Sequence, residues 1–170
     1  MSDSKIITIL GKTNVDNITL KKVDRIRLCA VDEEFIKEQE LTMLFEIKDS
    51  KKSENSSVCR REISNKLTSY KSQDVKKDKY EQSVHISMKD TINKLLLSEL
   101  NCSYCSERVK LMYMKVRDPK QWTLDRINND LSHSNKNTVI SCLSCNIKRG
   151  LINKDKFEFT KKMVIVKTNW

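Results

Sequence analysis

Apolar and polar positions along the chain fall into short runs of differing period. Residues 5–10, KIITIL, are β-branched and apolar and predict a strand. Residues 11–17 predict a turn region. Residues 18–48 mix strand-like runs (ITLKKVDRIRL) with a stretch, EEFIKEQELTMLFEI, that suits either strand or helix. Residues 1–50 are thus expected to form a small N-terminal β or α+β appendage. Residues 49–58, DSKKSENSSV, are polar and predict a linker. Residues 59–83 are basic, with two tyrosines and little apolar periodicity, and predict an arm that orders only if something packs on it. The expected organisation is an appendage over 1–50, a polar and basic linker and arm over 51–83, and a main domain over 84–170.

In that domain Ser87 is placed to cap a helix, with Asp90 three residues on and favourable near the positive end of the helix dipole. Met88, Ile92, Leu95 and Leu96 recur at helical spacing, so one face of this helix should pack in the core. Alternation at Val109, Leu111 and Tyr113, and again at Trp122, Leu124 and Ile127, predicts two short strands joined through a turn at Asp118 and Pro119. Residues 138–141 predict another strand. Residues 155–162 predict a helix capped near Asn153 or Asp155, and residues 163–166 a last strand-like run. The fold class is α+β.

A chain of 170 residues holds one domain, or one domain with a small appendage. Only 6% of residues are aromatic, so a large core is not assured by composition. No apolar run approaches the ~20 residues that span a bilayer, and the N-terminus lacks a secretory pattern. A soluble, intracellular protein with no membrane partner is expected. The net charge of +10 is unevenly spread. Residues 1–50 carry 8 Lys/Arg against 10 Asp/Glu, residues 51–83 carry 9 against 5, and residues 102–170 carry 14 against 6. The positive excess is what a phosphate backbone would select, although a solvated Lys-rich surface has the same composition. The slightly acidic first 50 residues suit a protein partner better than nucleic acid.

The excess charge accompanies the cysteines. Of the 6 in the chain, four form two Cys-x-x-Cys pairs, Cys102/Cys105 and Cys142/Cys145. In a reducing compartment such pairs read as metal ligands. Four thiolates close a tetrahedral zinc shell with no open position, so this zinc would be structural. Its binding can supply on the order of 10 kcal/mol of folding free energy. Cys29 and Cys59 stand alone and read as small buried hydrophobes. The chain has 2 histidines. His85, just before the Ser87 helix, reads as structural or solvated; His133 lies between Trp122 and the second cysteine pair.

The segment CSYC followed by QWTLDRINNDLSHSNKNTVISCLSCNIKRG resembles the zinc-stapled, endonuclease VII-like branch of the HNH endonuclease superfamily. Within that branch it resembles a subgroup of the form WTLDRIDND-x-GH…CLxCNxKR seen in large DNA viruses. With the flanking KLTSYKSQDVKK and NKDKFEFTKKM, the resemblance covers roughly residues 60–167. It implies a ββα-metal domain, in which two strands and a helix grip one divalent ion. Asp125 matches the acid that contacts the ion. Asn146, directly after the last cysteine, matches a second ligand, and Asn137 matches an Asn that braces the loop. Carboxylate and amide oxygens suit magnesium or manganese.

The departure is Arg126, where most of the superfamily has a His acting as general base. Arginine stays protonated and cannot take a proton at neutral pH. His133 could take over that role. Alternatively the metal could supply hydroxide while Arg126 clamps the phosphate, or the site could be degenerate. The subgroup itself carries Asp-Arg-Ile here, which favours remodelling. Asn128 replaces the subgroup's Asp, and Ser132 its Gly, which should alter the loop's shape.

The resemblance therefore implies a metal-dependent endonuclease cutting nucleic acid, with DNA the expected form. Arg126, Lys148 and Arg149 would hold the phosphate, and Lys71, Lys76 and Lys77 would extend the backbone contact. The alternative is a catalytically degenerate zinc module that binds nucleic acid, as a viral structural or packaged protein would, in the host cytoplasm, the nucleus or the virion. Each residue also has a plainer use. Asp125 could pair with Arg126 or Arg149, His133 could donate to a loop carbonyl, and Asn146 could take a left-handed knuckle conformation.

Overall fold

The computed structural model describes Thr8 and residues 35–163. The expectations for 5–10 apart from Thr8, for 11–17, for the strand-like run at 18–28 and for Cys29, and all of 163–166 but Met163, lie outside the described residues. The elements are α1 (Lys37–Lys48), α2 (Glu54–Lys76), α3 (Met88–Leu97), β1 (Trp122–Arg126), β2 (Thr138–Cys142), α4 (Leu143–Arg149) and α5 (Lys154–Lys162). The fold class is α+β: a β-hairpin packs on α3, further helices precede it, and the four cysteines lie between hairpin and helix.

Helix α3 begins as its sequence predicts. Ser87 Oγ accepts from the Asp90 N–H at 3.1 Å, and the Asp90 carboxylate accepts from the Ser87 N–H. Ile92 and Leu95 are buried, and Met88 and Leu96 pack against the same core. Helix α5 is capped by Asn153, whose side chain accepts from the N–H groups of Asp155 and Lys156.

The stretch expected to be linker and arm is instead the 23-residue helix α2. Ser53 caps it, accepting from the Ser56 N–H. Cys59, Ile63, Leu67, Tyr70 and Asp74 follow one another at three- and four-residue steps, so they share one helical face. Cys59 and Ile63 are buried in the core with Met43, Leu44 and Ile47 of α1. Burial pushes the Cys59 thiol up to about 12, so it behaves as the small hydrophobe expected of it.

The expected strand at 109–113 does not form, although Val109 and Leu111 are buried. The N–H groups of Leu111 and Met112 both donate to Oε1 of the buried Glu40 at 2.8 Å. A carboxylate from α1 thus satisfies donors that would otherwise seek a strand. Arg108 balances Glu40 at 2.8 Å.

Strand β1 pairs antiparallel with β2, with Leu124 opposite Ile140 and Asp125 opposite Val139. Every residue of β1 is buried. Its outer edge is met by α2: the Leu124 N–H donates to the Tyr70 hydroxyl, and Lys66 Nζ donates to the Trp122 carbonyl. The outer edge of β2 is met by Ser103, whose N–H and hydroxyl both donate to the Ile140 carbonyl, and by Lys94 on the Thr138 carbonyl. Helix α4 follows β2 without a loop and touches both strands. Gly150 ends it at φ +52°, a left-handed conformation open to a residue without Cβ.

Candidate functional site

The two cysteine pairs come from different local structures. Cys102 and Cys105 sit on a turn closed by Ser106 N–H to the Cys102 carbonyl. Cys142 caps α4, its Sγ accepting from the Cys145 N–H at 3.4 Å. The four Sγ atoms lie within 4.8 Å of one another, with Cys105 and Cys142 4.0 Å apart. Thiolates ~2.3 Å from a tetrahedral zinc stand about 3.8 Å apart, so the cluster fits that ion with little contraction. The hydrogen bond with Cys142 brings the Cys102 thiol down to about 4 and pushes Cys142 up. Burial raises Cys145 to about 11. A crowd of thiols that favours one thiolate and resists the next is what a dication relieves.

Beside this cluster lies an open cleft of about 270 Å³, lined in part by Lys77, Asp125, Arg126, His133 and Asn146. Side chains alternate along β1. Asp125 therefore faces α4 and the cysteine turn, while Arg126 faces α2. Asp125 is 4% exposed. Its carboxylate accepts from Arg149 Nη1 at 2.8 and 2.9 Å and from the Tyr104 hydroxyl at 2.6 Å. Burial is the largest influence on this carboxyl and raises its pKa, against the pull of Tyr104 and Arg149. Asn146 lies within α4, not in a left-handed turn; its amide donates to Thr123 Oγ1 at 3.0 Å. Among the described residues its Oδ1 has no hydrogen-bond donor.

His133 is buried against α2. Its backbone N–H donates to Asp74 Oδ2 at 2.7 Å, and its Nδ1 lies 2.8 Å from Asp74 Oδ1. The Tyr70 ring stacks on it at 4.7 Å. Burial lowers the His133 pKa more than Asp74 raises it, so the neutral imidazole is favoured. Arg126 Nη1 donates to the Leu131 carbonyl and lies 3.5 Å from Asp74. Asn137 stands behind the cleft. Its amide donates to the carbonyls of Asn128 and Ser132, and its Oδ1 accepts from the Asn128 N–H, which folds the 127–137 loop on itself.

The expected phosphate ligands divide. Lys77 lines the cleft, and Lys76 and Lys148 are exposed. Lys71 Nζ lies 5.0 Å over the Tyr80 ring. Arg149 is turned inward, 1% exposed, its Nη2 on the Ile127 carbonyl, so in this arrangement it serves Asp125 instead of the surface.

Tyr70 lines the cleft, and Asp74 and Tyr104 stand buried behind it on His133 and Asp125; no sequence motif marks any of the three. Tyr70 and Asp74 lie on α2, whose buried stripe mixes apolar and polar side chains and so carries little hydrophobic periodicity. Tyr104 sits inside the first cysteine pair, between the two thiols. The chain matches no family model, no curated protein and no solved structure.

Proposed function

We propose that this is a metal-dependent nuclease of the HNH type, hydrolysing phosphodiester bonds in nucleic acid, with DNA the preferred form. The observation that carries the reading is convergence: Asp125 and Arg126 of β1, Asn146 of α4, Lys77 at the C-terminal cap of α2 and His133 of the 127–137 loop line one cleft next to the cysteine cluster.

A divalent site there is chemically sound. The Asp125 carboxylate has about four lone-pair positions and three are used, and Asn146 Oδ1 is free among the described residues. Magnesium or manganese takes such hard oxygens and keeps several waters. When bound, the ion would offset the negative charge that builds on the phosphate. His133 Nε2 would take one proton from the attacking water as its oxygen bonds to phosphorus. The bond from phosphorus to the 3′ oxygen would then break, and that oxygen would take a proton from solvent. Lys77 and the uncommitted N–H groups of Arg126 would hold the phosphate. Lys148, Lys71 and Lys76 would meet the backbone beyond it.

The second reading is a zinc-stapled module that binds nucleic acid without cutting it. It is favoured by Arg149, whose Nη1 donates to both oxygens of Asp125 and, with Tyr104, already satisfies most of that carboxylate. Supercoiled plasmid with magnesium or manganese separates the two. Wild type should nick it, and Asp125→Ala and His133→Ala should each lower the rate at least about 100-fold. Retarded but intact plasmid with both metals would leave the binding module standing and the nuclease refuted.

A further inference from the structure

We infer that Asp74 is a positioning residue that sets the tautomer of His133, so that helix α2 completes the reactive site; the inference rests on the nuclease reading above. Asp74 occupies the last turn of α2 and is fully buried. Holding a carboxylate there costs desolvation energy unless it is fully used. Two of the side chains that meet it, His133 and Arg126, line the cleft. The His133 N–H donates to Oδ2 at 2.7 Å and His133 Nδ1 meets Oδ1 at 2.8 Å. Arg126 Nη1 is 3.5 Å from Oδ1, and His85 Nδ1 is 3.8 Å from Oδ2. Both histidines of the chain therefore face one acid.

A carboxylate only accepts hydrogen bonds, so the 2.8 Å contact requires the proton on His133 Nδ1. In the neutral ring Nε2 is then the bare nitrogen. Nε2 makes no hydrogen bond among the described residues, yet their buried unpartnered atoms are His85 Nδ1, Arg108 Nε and Arg149 Nε only. It therefore keeps access to solvent, and the opening that His133 lines is the cleft. A histidine serving the fold alone gains nothing from one nitrogen fixed by a buried acid and the other left bare toward a cleft. A general base needs that arrangement, with a third group fixing the ring. Tyr70, stacked on the ring and accepting from the β1 backbone, holds the remaining rotation.

The test uses the zinc-loaded full chain with its histidines labelled with nitrogen-15. His85→Gln identifies the His133 signals. Wild type should show His133 protonated at Nδ1 and bare at Nε2. Asp74→Asn keeps an oxygen for the His133 N–H but presents an amide donor to Nδ1, so the proton should move to Nε2. Plasmid nicking by that variant should fall about 100- to 10,000-fold in kcat with little change in KM. Wild type with its proton on Nε2 overturns the inference even if Asp74→Asn fails to fold. So does an Asp74→Asn protein that nicks at the wild-type rate. Wild type that nicks nothing with either metal removes the nuclease reading and this inference with it. A wild type that nicks while either of the first two results holds removes only the inference.

Discussion

At the scale of single residues, the strongest commitment is the pair Asp125–Arg149. Both are buried, and the guanidinium covers both carboxylate oxygens. Removing one partner leaves the other charge buried and unpaired, which costs about 3–5 kcal/mol. Arg149→Met should therefore lower unfolding free energy by that amount in a urea titration of the zinc-loaded protein. The double variant Asp125→Leu with Arg149→Met should recover much of it, because no unpaired charge remains. The two histidines give a second expectation. Burial lowers both pKa values below the ordinary 6.5. A histidine depressed in the folded state binds protons more readily when unfolded, so its stabilising share is complete above about pH 6.5 and declines as pH falls toward the folded value. Stability measured from pH 7.5 to 5 should fall, and His85→Gln with His133→Gln should flatten that part of the curve.

Among the elements, α2 separates what the sequence showed from what it concealed. The Cys-x-x-Cys pairs, the Ser87 cap, the Asn153 cap and the strand at Trp122 were plain because each rests on local chemistry or strict period. Helix α2 was not, because its buried face runs Cys59, Ile63, Leu67, Tyr70, Asp74, from apolar to polar. A stripe counted by hydrophobicity fades halfway along such a helix. Its upper half packs on α1, and its lower half serves the cleft. The missing strand at 109–113 has a related cause: its donors bond Glu40, over 70 positions away in the chain, beyond what any local pattern records. If α2 is seated by its upper half, Ile63→Ala should cost about 2–5 kcal/mol by emptying fully buried space. Thermal melts followed by circular dichroism would show this, and a loss under 1 kcal/mol would mean the helix is not anchored there.

Across the whole molecule, the cysteine cluster ties the turn at 102–105 to the end of the hairpin and the start of α4. Both cysteine segments are buried in the main core, with Cys102, Tyr104, Cys142 and Cys145 among its members, and the cluster is where the two segments meet. Metal analysis should find one zinc per chain. A strong chelator, or Cys145→Ser, should remove it and unfold the hairpin region, since structural zinc binding is worth about 10 kcal/mol or more. A chelated protein with an unchanged melting curve would show that the core suffices alone. No helix of the described residues is long and apolar enough to cross a membrane.

The two-stranded sheet has a further consequence. A sheet this small would normally offer two open borders, and here both are occupied, β1 by Tyr70 and Lys66 and β2 by Lys94 and Ser103. Ser103 stands between Cys102 and Cys105, so the guard on β2 is held in place by the same turn that carries two of the thiolates. Stripping the metal would loosen that guard and turn β2 into a template on which other chains can add strands. The zinc-free protein should accordingly aggregate as cross-β material under conditions where the loaded protein stays dispersed, and Ser103→Pro, which removes the N–H donor while sparing every cysteine, should tend the same way with its zinc still bound.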